Sequence, residues 1–205
     1  TFVTTVFVNM VAGPIDMNNG MFDLRQGHTT RVDESQPVPS TLVSEAARTL
    51  IAFSGVTILP DIPEYYRKYP ALLNFLSAQK MPWKESRTLA GEIGEYIVMM
   101  RETEDAYLVG AATNESGRTI DLALCFLETR KYTVEVIEDG DDAHYLTNRE
   151  SLKVTTWQLT NNDKLALKLA PGGGACLVIK KTPSMRVGEQ AAFPLVSPSW
   201  KIGRE

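Results

Sequence analysis

The 205-residue sequence is poor in cysteine and histidine, with two residues of each. Cys125 and Cys176 lie far apart, each within an apolar run, and this pattern favours small buried side chains in β-strands. A disulfide would require the two strands to be neighbours, which a sequence does not establish. His28 and His144 are too isolated for a zinc-type site. No metal-ligating residue is therefore predicted.

Long apolar runs and clusters of basic residues are also absent. No window reaches the about eighteen consecutive apolar residues of a transmembrane helix, so we expect no membrane span. The formal net charge is -4, with acidic and basic residues mixed and without a basic stripe. Because phosphate binding needs clustered Lys and Arg, nucleic acid is not an expected partner. Apolar residues at 43% and charged residues at 22% are typical of a globular protein.

The first third of the sequence alternates between strand, loop and helix signals. Residues 2–11 are apolar and rich in β-branched side chains, which predicts a strand. We expect this strand to pair with neighbouring strands that the chain lacks. We therefore expect the chain to be a piece of a larger protein. A loop over residues 15–39 follows, and loops of that length in compact domains are usually functional.

Two helices are predicted after the loop. Ser40 is the expected N-cap of the first helix, and Gly55 its expected end. Pro70 is predicted to begin the second helix, and a further helical turn is predicted to start at residues 61–63. Their apolar side chains recur at helical spacing, at Leu42, Ala46, Leu50 and Phe53 in the first and at Leu72, Leu73, Phe75 and Leu76 in the second.

From about Trp83 the hydrophobic period falls to two, and turn signals become frequent. About seven short strands of this kind predict an antiparallel β-sandwich. The predicted strands are Tyr96–Met100, Ala106–Gly110, Arg118–Leu124, Tyr132–Val136, Leu152–Leu159, Leu165–Leu169 and Ala175–Lys180.

The predicted fold is therefore mixed, with the remnant of the last unit of a (β/α)₈ barrel followed by an antiparallel β-sandwich domain. A strand, a loop and then helices are typical of one barrel unit. We place the barrel end at residues 1–82, the sandwich at 83–181 and an irregular tail at 182–205.

An ordered series of motifs resembles the C-terminal part of glycoside hydrolase family 97. Residues 10–24 resemble its last barrel strand and loop, and residues 39–50 its final barrel helix. Residues 59–65 and 81–87 resemble the crossing into its C-terminal domain. The sandwich itself is matched by Gly94-Glu95-Tyr96-Ile97, His144-Tyr145-Leu146 and Leu169-Ala170-Pro171-Gly172-Gly173-Gly174.

The resemblance implies a bacterial, periplasmic or secreted α-glycosidase as the parent protein, acting on oligosaccharides. Members of the family hydrolyse α-glucosides with inversion or α-galactosides with retention, and hold calcium near the substrate. The catalytic carboxylates and the calcium ligands lie on earlier barrel segments in the family. We therefore assign no catalytic residue here, expect no bound calcium, and expect the chain to be inactive alone. The expected partners are the rest of the catalytic barrel and, as a homodimer, a second copy.

The loop after the first predicted strand is the one candidate substrate site. Barrel enzymes place their sites at the C-terminal ends of strands. Asp16, Asn18 and Asn19 are therefore candidate sugar-binding residues, with Phe22 as a candidate wall for a sugar face. The simpler interpretation is that the polar residues cap and turn the loop.

Other features have simpler structural interpretations. Glu92 and Glu95 are assigned to the solvent face, and the acidic run over residues 138–142 to a solvated turn without the spacing of an EF-hand. Trp83 and Trp157 are assigned to packing.

Two alternatives to a glycosidase fragment remain open. The first is a non-catalytic carbohydrate-binding or structural β-sandwich module, for which aromatic side chains aligned on one sheet face would favour binding. The second is a truncated product without a stable fold.

Overall fold

The computed structural model of the chain describes residues 2–16, 18–24, 39–54 and 57–181. The helices in these ranges are α1 (Phe2–Ala12), α2 (Leu42–Ile51), α3 (Pro63–Arg67) and α4 (Pro70–Ser77). The strands are β1 (Glu85–Glu92), β2 (Tyr96–Glu102), β3 (Ala106–Thr113), β4 (Arg118–Ala123), β5 (Tyr132–Asp139), β6 (Leu152–Leu159), β7 (Lys164–Leu169) and β8 (Gly174–Lys180). The predicted tail, Gly55 and His28 lie outside the described residues.

The strands form two antiparallel sheets. Six of them pair in the order β1-β2-β3-β8-β5-β6, and β4 pairs with β7 in a second, two-stranded sheet. All seven predicted strands are present, so the antiparallel sheet domain is confirmed. Sequence periodicity missed β1, because residues 85–92 lack alternating apolar side chains and are exposed or half-buried throughout.

The larger sheet has a hydrophobic core on each face. On one face it packs against the helices, in a cluster we call the helix-side core. On the other face it packs against β4 and β7, in the inter-sheet core. The largest fully buried side chains of the helix-side core include Phe22, Leu42, Leu50, Leu72, Phe75, Ile97 and Leu108, and those of the inter-sheet core include Met100, Leu124 and Tyr132.

The first segment is a helix, so the strand predicted over residues 2–11 is wrong. A strand needs a neighbouring strand for its backbone hydrogen bonds, whereas a helix pairs its own N–H and C=O groups. In the described part of the chain, no strand pairs with this segment. Val3, Val6 and Asn9 recur every three residues and are buried, and this face attaches α1 to the rest of the fold. The opposite face keeps Val11 90% exposed.

The predictions for the other helices hold with small corrections. Pro63 and Pro70 each occupy the first turn of a helix, where a missing N–H costs nothing. The N-cap of α2 is Thr41 rather than Ser40, since the Thr41 hydroxyl accepts from the Ser44 N–H at 3.2 Å. The described end of α2 is Ile51.

Helix α2 lies across the middle of the six-stranded sheet, over β3 and β8. Two glycines allow this close approach. A Cβ atom at Gly110 would lie 3.0 Å from the Ala47 carbonyl oxygen, and one at Gly174 would lie 2.7 Å from the Ser44 Cα. These neighbours are backbone atoms of the helix, which cannot move without moving α2. The helix is therefore in direct contact with the sheet backbone.

A buried arginine attaches the C-terminal end of α2 to the sheet. Arg101 of β2 is 6% exposed, and it donates to the carbonyl oxygens of Leu50 at 3.3 Å and Ile51 at 3.1 Å. Its guanidinium carbon lies 4.5 Å from the Trp83 ring centre. The cation therefore occupies the negative end of the helix dipole and is also stabilised by an aromatic face.

The two cysteines differ in environment. Cys176 is buried in β8, as predicted, whereas Cys125 follows β4 in a turn and is exposed. The prediction of a strand position for Cys125 is wrong because β4 ends two residues earlier, at Ala123. Both thiols are free.

No helix in the described ranges is long and apolar enough to cross a membrane.

The close approach of α2 to the sheet gives a testable prediction for Gly174→Ala. The new methyl group would overlap the Ser44 backbone and the Ala111 carbonyl oxygen, so we expect a loss of about 3 kcal/mol in the free energy of unfolding. Gly91→Ala is the matched control, because the closest atom there is the tip of the half-buried Phe7 ring, which can move. Urea denaturation measures both. Equal stability of the Gly174 variant and the parent chain would contradict the direct contact.

Candidate functional site

The loop after α1 contains the four residues with predicted sugar contacts. Asp16 and Asn18 are exposed, whereas Asn19 is 8% exposed and Phe22 is 1% exposed. The Phe22 ring packs against Tyr66, with 4.8 Å between ring centres. In this chain Asp16 and Asn18 are open to a ligand, while Asn19 and Phe22 are enclosed by protein. The sugar contact itself stays a prediction.

Hydrogen bonds fix the buried half of this loop. The backbone N–H groups of Phe22 and Asp23 donate to Asp61 Oδ2 at 2.5 and 2.8 Å. The Tyr66 hydroxyl donates to the Gly20 carbonyl oxygen at 3.1 Å. Burial raises the pKa of Tyr66 to about 12, so the hydroxyl remains a donor near neutral pH. The Asp61 carboxylate is therefore used to hold the loop.

A second carboxylate, that of Glu45 on α2, is also structural. It is 4% exposed and accepts from the Ser40 hydroxyl at 2.6 Å and from Arg48 at 2.8 Å. The Met21 N–H donates to its other oxygen at 3.4 Å. The carboxylate therefore stabilises the first turn of α2 and the loop together, with both oxygens occupied.

Four surface clefts in the described part of the chain have volumes of about 250 to 510 Å³. Hydrolysis of a glycosidic bond needs two carboxyl groups facing the same bond. Each of these clefts is lined by one carboxyl side chain at most, namely Asp105, Glu115 or Asp141. None of the four offers the pair that the reaction requires.

The acidic turn over residues 138–142 does not fit a calcium ion. Lys168 lies 2.8 Å from Asp141, and the Ser151 hydroxyl donates to Asp142 at 2.5 Å. These partners neutralise or occupy the oxygens that would bind calcium. No group of three or more His, Cys, Asp or Glu side chains able to hold a metal occurs among the described residues.

One carboxyl group of that turn is buried and holds three segments together. Asp139, at the end of β5, is 2% exposed, and its Oδ2 accepts from the N–H groups of Ala170 at 3.0 Å and Gly174 at 2.8 Å. The Thr41 side chain at the start of α2 lies near the same carboxyl group, and the Thr41 N–H donates to the Gly172 carbonyl oxygen at 3.2 Å. Burial nevertheless dominates over these hydrogen bonds and raises the pKa of Asp139 to about 6.

The tryptophans separate into two environments. Trp83 is half-buried between Phe53 and Arg101, so its packing role is confirmed. Trp157 is 51% exposed, so the packing role predicted for it is wrong. Its strand, β6, is one of the two outer strands of the six-stranded sheet. Trp157 is the one exposed aromatic residue in the described ranges, and no aligned aromatic surface is present there.

Glu92 and Glu95 have the solvent-facing position expected for them. Glu92 is exposed at the end of β1, and Glu95 forms an ion pair with Arg118 at 2.9 Å. The two glutamates therefore form no acid–base pair.

Residues 82–180 match the protein-family model described as glycosyl-hydrolase 97 C-terminal, oligomerisation. The chain carries the C-terminal domain of glycoside hydrolase family 97. This confirms the resemblance inferred from the ordered motifs.

Relatives of this family 97 domain are longer proteins. A retaining α-galactosidase of Bacteroides thetaiotaomicron is 31% identical over 85% of the chain and 26% of the relative. A probable retaining α-galactosidase of Streptomyces bingchenggensis is 26% identical over 68% of the chain and 20% of the relative. The chain therefore spans about a quarter of the length of the curated relatives it matches.

Solved structures give the same result for the fold. A glycoside hydrolase family 97 enzyme of a Pseudoalteromonas species, in complex with acarbose, aligns with a TM-score of 0.78 and 29% identity. The alignment covers 87% of this chain and 28% of that enzyme. A β-arabinopyranosidase shares the fold, with a TM-score of 0.66 and 19% identity.

The buried Asp139 predicts an unusual pH dependence for the stability of this family 97 domain. The pKa is about 6 in the folded chain and 3.8 in an unfolded one. The folded state thus binds more protons between these values, and stability falls as the pH rises from about 4 to about 6, by up to about 3 kcal/mol. Asp139→Asn removes this titration. We expect the stability of the parent chain relative to the variant to decline over that range, measured by urea denaturation at each pH.

Asp141→Asn is the matched control on the same turn. Lys168 lowers the pKa of the exposed Asp141 carboxyl group, so its contribution is present at neutral pH and is lost as the pH falls. As the pH rises, the stability of the parent chain should therefore fall relative to the Asp139 variant and rise relative to the Asp141 variant. A pH-independent difference for the Asp139 variant would refute the burial argument.

Proposed function

We propose that this chain is the C-terminal part of an α-glycosidase that releases terminal α-linked glucose or galactose from oligosaccharides. The observation that supports the proposal most directly is the family 97 match over residues 82–180, together with a curated relative of which the chain spans about a quarter. The role proposed for the sandwich is assembly, since the matched family model is described by oligomerisation.

Catalysis is assigned to the part of the parent polypeptide that this chain does not contain. Two carboxyl groups must flank the scissile bond, one to protonate the leaving oxygen and one to activate water or attack the anomeric carbon. Each of the four clefts described above is lined by one carboxyl side chain at most, and the lack of a pair in any of them supports this assignment. We place the calcium ion of the family in the same missing part, and the parent enzyme in the bacterial periplasm or outside the cell.

We also propose that α2, α3 and α4 come from the end of the catalytic barrel. The likeness to the Pseudoalteromonas enzyme covers 87% of the chain, well beyond the family-model match, and thus includes helical segments. Val8 and Val11 on the outer face of α1 are exposed, which supports a protein neighbour on that side. Asp16 and Asn18 are exposed in the loop that follows α1, and we place them at the rim of the substrate site.

The choice between glucoside and galactoside stays open. The curated relatives are a retaining α-galactosidase and a probable one, while the structural relatives include an enzyme bound to acarbose and a variant bound to panose. The Bacteroides α-galactosidase and the Pseudoalteromonas enzyme share 31% and 29% sequence identity with this chain, and these values are too similar to favour either substrate.

A carbohydrate-binding module is the less favoured alternative. Sugar-binding sheets present aromatic faces that stack on the ring, and several usually act together. Trp157 stands alone as an exposed aromatic residue in the described ranges. Its position on an outer strand favours a protein partner.

Hydrolysis of nitrophenyl α-glucoside and nitrophenyl α-galactoside tests the catalytic assignment. We expect no turnover by residues 1–205 and clear turnover of one substrate by a parent polypeptide that includes this chain. Turnover by residues 1–205 alone would overturn the assignment of the catalytic groups to the missing part. The assembly role is tested by light scattering on the intact chain, where we expect a mass above that of one copy; a monomer at all concentrations would contradict it.

A further inference from the structure

The six-stranded sheet has two outer strands, and they differ in how open they are to a partner. The β1 edge is irregular, with a register shift between Thr88 and Ala90. It carries an exposed ion pair between Arg87 and Glu85 at 2.5 Å. The Met10 sulfur of α1 lies 3.7 Å from the Thr88 hydroxyl, so α1 partly covers this strand. Bulges, charges and covering elements all prevent edge-to-edge pairing.

Within the described residues, the β6 edge has none of these protections. It pairs with β5 without a shift, from Tyr132 opposite Leu159 to Asp139 opposite Leu152. In the described part of the chain, β5 is the one element with which β6 makes extended contact. An eight-residue strand that is regular and uncovered presents a row of backbone N–H and C=O groups to another chain.

The side chains of β6 also favour a protein partner. Val154 is 43% exposed and Trp157 is 51% exposed, on opposite faces of the sheet. The single charged residue of the strand is Lys153, and its ammonium lies 3.7 Å from the carboxylate of Glu138, its direct neighbour on β5. The charge is thus directed toward its own sheet and does not block the outer edge.

We propose that β6 pairs in antiparallel fashion with β6 of a second copy of this chain, forming one continuous sheet across the dimer. This inference rests on the proposed assembly role, because it names the surface that would perform it. A second copy is the occupant we favour because the matched family is described by oligomerisation and because β6 is complementary to itself. A two-fold interface requires such self-complementarity.

The complementarity follows from the register. A two-fold axis perpendicular to the sheet keeps every side chain on its own face. Each β6 residue therefore pairs with a residue of the second copy whose number differs from its own by zero or an even number. With Thr155 on the axis, Lys153 faces the second copy's Trp157, and Val154 faces the second copy's Thr156. This register opposes no like charges. It also places an ammonium group beside an indole, which is a favourable pairing.

Light scattering on the 205-residue chain over a dilution series tests the surface. We expect a dimer whose dissociation constant rises about 30-fold or more in Trp157→Lys, as for a central contact residue. Ile93→Lys is the matched control, because Ile93 is 68% exposed on the β1–β2 turn of the same domain. Val11→Lys on α1 is a second control for association through the other apolar surface. Both controls should remain dimeric.

A cross-link tests the register. Paired residues on the two-fold axis have Cα atoms about 4.5–5.5 Å apart, a separation that a disulfide can span. Thr155→Cys in a Cys125→Ser background should form a covalent dimer with diamide as oxidant, whereas Arg87→Cys on the β1 edge should not.

The outcomes separate the two proposals. A chain that stays monomeric at all concentrations would overturn the assembly role and this interface together. A dimer that persists in Trp157→Lys, or that is lost in Val11→Lys alone, would overturn the β6 interface and leave the assembly role intact. A dimer with a cross-link at another β6 position would overturn the Thr155-centred register.

Discussion

The fold depends on the close packing of one helix, α2, against the backbone of the six-stranded sheet. Gly110 and Gly174 bring the helix so close that main chain meets main chain. Arg101 holds the C-terminal end of the helix through two carbonyl oxygens. At the N-terminal end, the Thr41 N–H donates to the Gly172 carbonyl oxygen, in the turn that Asp139 binds through the Gly174 N–H. The helical segment and the sandwich therefore share one core and act as a single structural unit.

This arrangement explains which parts of the fold could be predicted from sequence. The sandwich strands were predictable because their side chains alternate between a core and a polar surface, and that period is local information. Pro63 and Pro70 predicted helix starts for a similar local reason. Strand β1 was missed because its residues are exposed or half-buried and give no alternation.

Residues 2–11 and Trp157 were misassigned for a different reason. β-Branched residues favour strands only where a neighbouring strand is available, so the helical outcome depended on the surroundings of the segment. The exposure of Trp157 depends on the order of strands in the sheet, which places β6 at an edge. Neither property is encoded in the local pattern. The candidate loop could be located from sequence, but the burial of Phe22 against Tyr66 could not.

The two ends of α2 differ in a way that affects how the domain responds to its medium. Burial lowers the pKa of Arg101 only to about 10, so the C-terminal attachment keeps its charge from acid to mildly alkaline conditions. The N-terminal attachment changes its protonation near pH 6. Acidification therefore acts on one end of a single helix and leaves the other unchanged. The helix is therefore attached to the sheet by a constant charge at its C-terminal end and, at its N-terminal end, beside a carboxyl group whose charge varies with the pH of the surroundings.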